Sequence, residues 1–363
     1  MARKLRPDWV LFVITLSLVI FGVVMVFSSS AVLAKADYGN PNYFSFKQIV
    51  AAIFGLALMF FVMKVDYHLY KKPAVVFTVL SITIALLVVV FFLPKHAYTY
   101  RWIQFSSVSF QPSELAKLAL VFFLAYFLDK RAGQINKLQF TLAPIAIIVG
   151  MLAFLIVKEP DLGTAVALVL TTSVLLYVAG LDLRWFAIPV ALSVPLFYVL
   201  VYRSNYRWGR IMAFLHPDDD PLGIAYNIKQ SLLSVGSGGV FGLGYMEGKQ
   251  KLFFLPQAHT DFIFAVVGEE LGLIGACAVL LLFSIFLWRG LRTSAKAPDS
   301  FGFYLALGIT MVVCLQAFIN MSVVLALVPT KGIPLPFLSY GGSSFVVMLA
   351  SVGILLNVSQ QSS

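Results

Sequence analysis

Between Trp9 and Val32 the chain carries no charged side chain. A run that long and that apolar reads as a membrane-spanning helix, because a bilayer offers the backbone no partners and only a helix or closed barrel satisfies its own N–H and C=O groups. Nine more stretches read the same way. The ten expected spans are 9–33, 46–63, 74–93, 113–128, 139–157, 164–180, 184–202, 261–288, 302–327 and 343–359. Soluble domains carry about 25% charged residues; this chain carries 12%, with a mean hydropathy of +0.93. The expected fold class is therefore an all-α integral membrane protein, a bundle of ten transmembrane helices. It reads as one polytopic membrane domain over 1–363, with one long connection at 203–260 between the seventh and eighth helices. No small-residue cleavage site follows the first run, so that run reads as a retained helix rather than a signal peptide.

The formal charge is +10. In this setting it speaks of loops and anionic membrane lipids, not of nucleic acid. The two cysteines, Cys277 and Cys314, lie inside apolar runs, and neither a disulfide framework nor a zinc spacing exists. Orientation follows from Lys and Arg in short loops. With the N-terminus inside, inner segments carry thirteen and short outer loops six. Both termini are then cytoplasmic, and the unusual polar residues gather on the outer side.

Asp261 stands first among them, in "LPQAHTDFIFAVVGEELG". It reads either as the opening residue of a helix after an N-cap at Thr260 or as a carboxylate that takes a proton from a hydroxyl. Glu269 and Glu270 fall about 12 Å deeper at 1.5 Å per residue. Intramembrane carboxylates are costly and point to function, or one of them pairs with a buried base such as Lys117. In "QPSELAKLAL", Glu114 and Lys117 share a helix face. They form a local ion pair, or Lys117 offers a buried cation to a phosphate; its depth predicts that Lys117→Ala costs activity without loss of folding. Asp161, in the corner "KEPDLGT", is a helix cap or a site residue. Arg207 and Arg210 lie among Tyr202, Tyr206 and Trp208, as an interfacial segment or a phosphate-binding pair. Arg101 and Lys331 complete the outer cations. Asp218 to Asp220 read as a solvated turn ahead of an ion site. "GSGGVFGLG" lacks the GxGxxG spacing and a preceding strand, so it reads as flexible re-entrant backbone.

An outer-face enzyme needs substrates delivered on a lipid. Cations at the interface suit a lipid pyrophosphate, and a base suits a sugar hydroxyl. The class this yields is lipid-linked glycosyl transfer. A transporter or flippase would want polar groups through the full depth; a non-catalytic scaffold would not need Asp261.

"FQPSELAK", "EPDLGT", "RWGRIMAFLHP", "NIKQSLLSVGSGGVFGLG", "LPQAHTDFIFAVVGEELG" and "PTKGIPLPFLSYGGSS" occur in that order. They resemble the motifs of the SEDS family (shape, elongation, division, sporulation), the peptidoglycan glycan polymerases, and "PTKG" with "GGSS" resembles its division member more than its elongation member. Gln257 stands where the family pattern has Glu. The resemblance implies a ten-helix fold that polymerises lipid II into β-1,4 glycan with inversion, releasing undecaprenyl pyrophosphate. It implies Asp261 as the base and Arg101, Glu114, Lys117, Asp161 and Lys331 in a central cavity. It implies a class B penicillin-binding protein (an FtsI-type transpeptidase) and other divisome membrane proteins as partners, at the septum of a bacterial cytoplasmic membrane. No cofactor is required, with room for a divalent cation (Mg or Mn) near the pyrophosphate and no ligand set that demands one.

Overall fold

The structure, a computed structural model, describes residues 6–93, 101–105, 108–216, 223, 225–329 and 332–361. Its helices are α1 (Trp9–Tyr38), α2 (Tyr43–Lys64), α3 (Pro73–Val89), α4 (Pro112–Lys130), α5 (Ala143–Lys158), α6 (Leu162–Val178), α7 (Leu183–Phe197), α8 (Asn205–Leu215), α9 (Tyr226–Ser237), α10 (Ile263–Ala295), α11 (Ser300–Val324) and α12 (Gly342–Gln361). Among the described residues, seven helical stretches are long and apolar enough to cross a membrane: those of α1, α2, α3, α5, α10, α11 and α12. The other expected spans are helical but fall short for identifiable reasons. Helix α4 carries Glu114, Lys117 and Asp129. Helix α6 has 17 residues, and α7 has 15 with Pro189 and Pro195 inside it.

Two elements escape the ten-helix expectation. A small antiparallel hairpin, β1 (Ile103–Phe105) with β2 (Val108–Phe110), precedes α4. Strands of three residues are too short to leave an alternation in the sequence. The long connection is also not open loop, since it holds α8 and α9.

Helix α11 is the most enclosed span, packed against α4, α6, α10 and α12. One hydrophobic core joins it to α1, α4 and α12 through Leu18, Leu120, Leu305 and Leu355. On the outside, Phe46, Phe61, Phe92, Ile147 and Leu183 stand exposed. An apolar exterior over a packed interior suits hydrocarbon solvent, where burial of apolar groups is no longer the driving force and packing and polar contacts decide.

The two ends of the bundle are built differently. At one, Asp8 pairs with Arg289 at 2.6 Å, Tyr67 donates to Asp299 at 2.7 Å, and Lys71 meets Asp129 at 2.9 Å. At the other, irregular backbone folds back among the helices. The segment 332–341 buries Ile333, Leu335, Phe337 and Leu338. A Cβ on Gly22 of α1 would run into the Phe337 carbonyl, so this close approach requires glycine.

The glycine-rich segment 238–244 makes a second inward fold. Helix α10 breaks at Gly272, where φ is 65° and ψ −161°. The freed Glu269 and Glu270 carbonyls accept from Leu243 and Gly244 N–H, both at 3.0 Å. Leu273 and Ile274 N–H donate to the Gly239 and Val240 carbonyls at 2.9 and 3.2 Å. Backbone bonds lost by the helix are thus remade across the contact, the condition for irregular chain at membrane depth. The glycine-rich segment is irregular backbone as expected, but it is pinned to α10 rather than flexible.

Candidate functional site

Asp261 sits where these folded-back segments meet. Helix α10 begins two residues after it, at Ile263, so Asp261 is not the opening helical residue. Thr260 does not cap the helix either; its hydroxyl donates to the Gln257 carbonyl at 3.2 Å. Gln257 takes φ 55°, and its carbonyl also accepts from Thr260 N–H at 3.1 Å. Its backbone shapes the turn while its side chain is exposed.

The backbone around Asp261 is fixed by three side-chain and main-chain bonds. Ser339 Oγ donates to the Thr260 carbonyl at 2.6 Å. Tyr340 N–H donates to the His259 carbonyl at 2.9 Å. Asn320 Nδ2 donates to the Asp261 carbonyl at 2.8 Å and to the Ile333 carbonyl at 2.7 Å. Among the described residues, none donates to the Asp261 carboxylate. Gly332 faces it so closely that a Cβ there would lie 2.9 Å from Oδ2. Burial pushes the carboxyl up to about 6; nearby Arg101 opposes this, Asp161 adds to it and Arg210 opposes it. Carboxylate and cations are thus in electrostatic contact without being locked together.

The cations are held by the carbonyl end of α5. Arg101 Nε donates to the Glu159 carbonyl at 2.8 Å, and its Nη2 reaches the Pro160 carbonyl. Arg207, on α8, donates to the Val157 carbonyl at 3.2 Å. Carbonyls at a helix C-terminus lack helical partners and carry the negative end of the dipole. Guanidinium has five donors, so Arg101 keeps N–H groups for another anion. Arg210, one turn beyond Arg207 on α8, acts on Asp261.

Asp161 is a cap, as one reading of the sequence had it. It accepts from Thr164 N–H at 3.1 Å and Thr164 Oγ1 at 2.9 Å. It also accepts from Gln111 Nε2 at 3.3 Å and faces the Asp261 cluster. Glu159 beside it is fully buried, with no hydrogen-bond partner at either carboxylate oxygen among the described residues. Burial pushes it up to about 9, with Asp161 adding and Arg101 opposing. Its neighbours Lys158 and Pro160 gave no sign of that enclosure.

Glu114 and Lys117 pair at 2.8 Å inside the protein. Lys117 also donates to Gln316 Oε1, and Gln316 Nε2 donates to the Pro334 carbonyl at 2.9 Å. The pair lines a narrow, partly open cavity, with Val312, Met348 and Ser351 among its walls. Through Gln316 and Asn320, one turn apart on α11, Lys117 and Asp261 are tied to the same 333–334 stretch. Sequence reasoning missed both amides, since a lone Gln or Asn in an apolar run has no spacing to betray it.

Glu269 and Glu270 have a different task. Glu269 accepts from Lys249 and Gln250 N–H at 2.7 and 3.0 Å and from Ser234 at 3.1 Å. Glu270 accepts from Ser28, at 2.6 Å, and from Met246 N–H at 3.1 Å, and it pairs with Lys251. The buried base is Lys251, not Lys117, because the connection folds inward and delivers it. Lys331 and Asp218 to Asp220 lie outside the described residues. Among the described residues no group of three or more His, Cys, Asp and Glu could hold a metal ion.

A family model described as "Cell cycle protein" matches residues 8–363. The chain is 43% identical to a "Probable peptidoglycan glycosyltransferase FtsW" of Geobacter metallireducens, over 98% of this chain and 95% of that protein. It is 42% identical to the "Stage V sporulation protein E" of Bacillus subtilis, over 99% of both. A solved structure described as "Structural coordination of polymerization and crosslinking by a peptidoglycan synthase complex" matches with a TM-score of 0.79 and 26% identity, over 97% of both chains. The rod shape determining protein RodA of Thermus thermophilus matches with a TM-score of 0.71 and 25% identity, over 98% of this chain and 97% of that one.

Proposed function

The chain belongs to the FtsW/RodA/SpoVE family of cell cycle proteins, and on that footing we propose how it carries out lipid-linked glycan synthesis. It is a multi-pass membrane protein and a peptidoglycan glycosyltransferase. In our reading, all ten expected helices cross the cytoplasmic membrane as one polytopic domain. Both termini are cytoplasmic, and 203–260 lies on the outer side with Asp261. The substrate is lipid II and the duty is septal.

One observation carries the mechanism: a partly enclosed carboxylate, unbonded among the described residues, beside two arginines. A base works best with a pKa near the working pH, and burial brings Asp261 there. The acceptor's sugar hydroxyl attacks the donor's anomeric carbon from the face opposite the leaving group. The C–O bond to the pyrophosphate breaks as the new glycosidic bond forms. Asp261 takes the hydroxyl proton, and the pyrophosphate leaves with its electron pair. Arg101 and Arg210 stabilise that charge, with Lys331 and Arg207 as further donors. Fixed charges aimed at developing charge are usually the larger contribution. Asp161 positions the corner that holds Arg101; Glu114 and Lys117 line the cavity beneath. A class B penicillin-binding protein and other divisome membrane proteins are the expected partners.

The test is polymerisation of labelled lipid II by purified protein, alone and with a matching transpeptidase. Wild type should give a glycan ladder and Asp261→Ala none. Equal ladders from both would remove Asp261 as the base. Transfer of lipid II across liposomes without a ladder would favour a transporter.

A further inference from the structure

Resting on that reading, we infer that Tyr38, Tyr43, Phe44, Lys47, His259 and Tyr340 form the saccharide subsite that receives the acceptor's pyranose ring. These residues come from three separate places, the α1–α2 corner, the turn before Asp261 and the segment before α12. Tyr38 and Tyr43 stack with centroids 3.9 Å apart and planes 9° from parallel. Phe44 touches Tyr43, His259 and Tyr340 at 5.2, 4.7 and 5.1 Å. Lys47 Nζ lies 4.3 Å over the Tyr43 ring and 2.7 Å from its hydroxyl. Tyr38 remains 53% exposed.

Membrane proteins do carry aromatic belts, but belt residues sit around the circumference at headgroup level. Here the rings converge on one spot, and the chain leads from it directly into the site. His259 is two residues from Asp261, and its carbonyl holds Tyr340 N–H at 2.9 Å. Burial keeps the imidazole neutral, holding it down to about 4. An aromatic wall with a neutral imidazole, and with the phenol hydroxyls and the Lys47 ammonium as polar tips, suits the mixed faces of a sugar ring: apolar C–H on one side, hydroxyls at the edge.

The placement also divides the substrates. Arg101, held at the carbonyl end of α5, and Arg210, on α8, act on Asp261 and so mark the pyrophosphate side. The aromatic group joins Asp261 through residues 259–260 and 339–340, separate elements from those. An inverting displacement needs donor leaving group and acceptor hydroxyl on opposite sides of the anomeric carbon. The acceptor sugar therefore belongs with the aromatic group.

The probe is a soluble tetrasaccharide of alternating N-acetylglucosamine and N-acetylmuramic acid. Its binding is read by saturation-transfer NMR on Asp261→Asn protein in nanodiscs, where no turnover occurs. Adding Tyr38→Ala with Tyr43→Ala should weaken binding about tenfold, and adding Phe61→Ala, an exposed ring of α2 outside the group, should leave it unchanged. In otherwise wild-type protein, the double alanine variant should raise the lipid II concentration at half-maximal rate by a similar factor and keep kcat within about twofold. Unchanged binding in the double variant, with a lower melting temperature in nanodiscs, would make the group a membrane belt and overturn the inference. Equal loss in Phe61→Ala and in the double alanine variant would overturn stacking on this group as the cause. Failure of the unaltered protein to bind the tetrasaccharide would overturn it too, even with a normal glycan ladder. A bound tetrasaccharide without any ladder would instead count against the polymerase mechanism and leave the subsite standing.

Discussion

Removing Lys117 separates a structural cation from a catalytic one. The sequence led us to expect that Lys117→Ala would cost activity and leave folding intact. The structure changes that expectation. Lys117 and Glu114 are both almost fully buried and meet at 2.8 Å. Breaking a buried pair from one side strands the other charge, at about 3–5 kcal/mol. The Gln316 carbonyl oxygen loses its donor as well, a further ~1–3 kcal/mol if no water replaces it. Proteins are stable by only about 5–15 kcal/mol, so Lys117→Met should be visibly unstable, with a fall in melting temperature on the order of 10 °C. Glu114→Gln in the same protein removes the stranded charge and should restore most of the loss, since apolar and amide groups of similar volume replace buried ion pairs at little cost. The assay is thermal unfolding of single and double variants in one detergent, with lipid II polymerisation at a temperature where all are folded. We expect the double variant to melt near wild type yet polymerise at a small fraction of its rate. A single variant that melts like wild type would refute the buried pair. A double variant that polymerises fully would make the pair a strut and remove it from the site.

The rate should rise with pH through about 6, because Asp261 must be ionised to accept a proton, and fall about tenfold per unit below it. Arg101→Met removes the stronger opposing charge, so that limb should move to higher pH; an unmoved limb would separate Arg101 from Asp261. Glu159→Gln tests the orphaned acid. Its pKa is raised from 4.5 to about 9 in the fold, so the folded state keeps a proton the unfolded chain loses, and stability falls as pH rises between those values. The variant should melt higher at pH 7, by up to ~3 kcal/mol, and lose that pH slope; unchanged melting would mean the carboxylate finds a partner. Glu270→Gln strands Lys251 and should cost about 3–5 kcal/mol, and protease cleavage in 238–260 should follow; a loop that stays resistant would show that Glu270 is not its anchor.

Much of this protein could be read before its structure because membrane helices announce themselves. Apolar runs located α1 to α7 and α10 to α12, while α8 and α9 lie in the long connection, where no such run marks them. Asp261, Arg101, Asp161 and Arg210 were picked out as ionisable residues in an apolar chain, and they do come together. What could not be read was pairing across distance. Glu270 meets Lys251 only because Gly242, at φ 82°, lets 238–244 lie against the break at Gly272. A Cβ on Gly242 would strike the Glu270 carbonyl. Glycine in the sequence marked flexible backbone; it took the fold to show that those glycines permit a close contact. The enclosure of Glu159, and the amides of Gln316 and Asn320, likewise depend on neighbours remote in the chain.

Those remote contacts explain why Asp261 is available for chemistry. A carboxylate at a helix start would ordinarily be consumed by the first-turn N–H groups. Here α10 starts after Asp261, and the turn is fixed through carbonyls by Ser339, Asn320 and Tyr340. The deep carboxylates Glu269 and Glu270 hold the inward fold that leads into that turn. They spend their hydrogen-bonding capacity on backbone and Lys251. Structure is thus secured by one set of acids and by main-chain bonds, which leaves the Asp261 oxygens without a structural duty among the described residues. A single substitution tests this division: Asn320→Leu frees the Asp261 carbonyl without touching its carboxylate. It should lower kcat while the limb near pH 6 stays in place, because position changes and charge environment does not. If the limb shifts with the rate, the carboxylate's surroundings, and not its backbone, are what Asn320 controls.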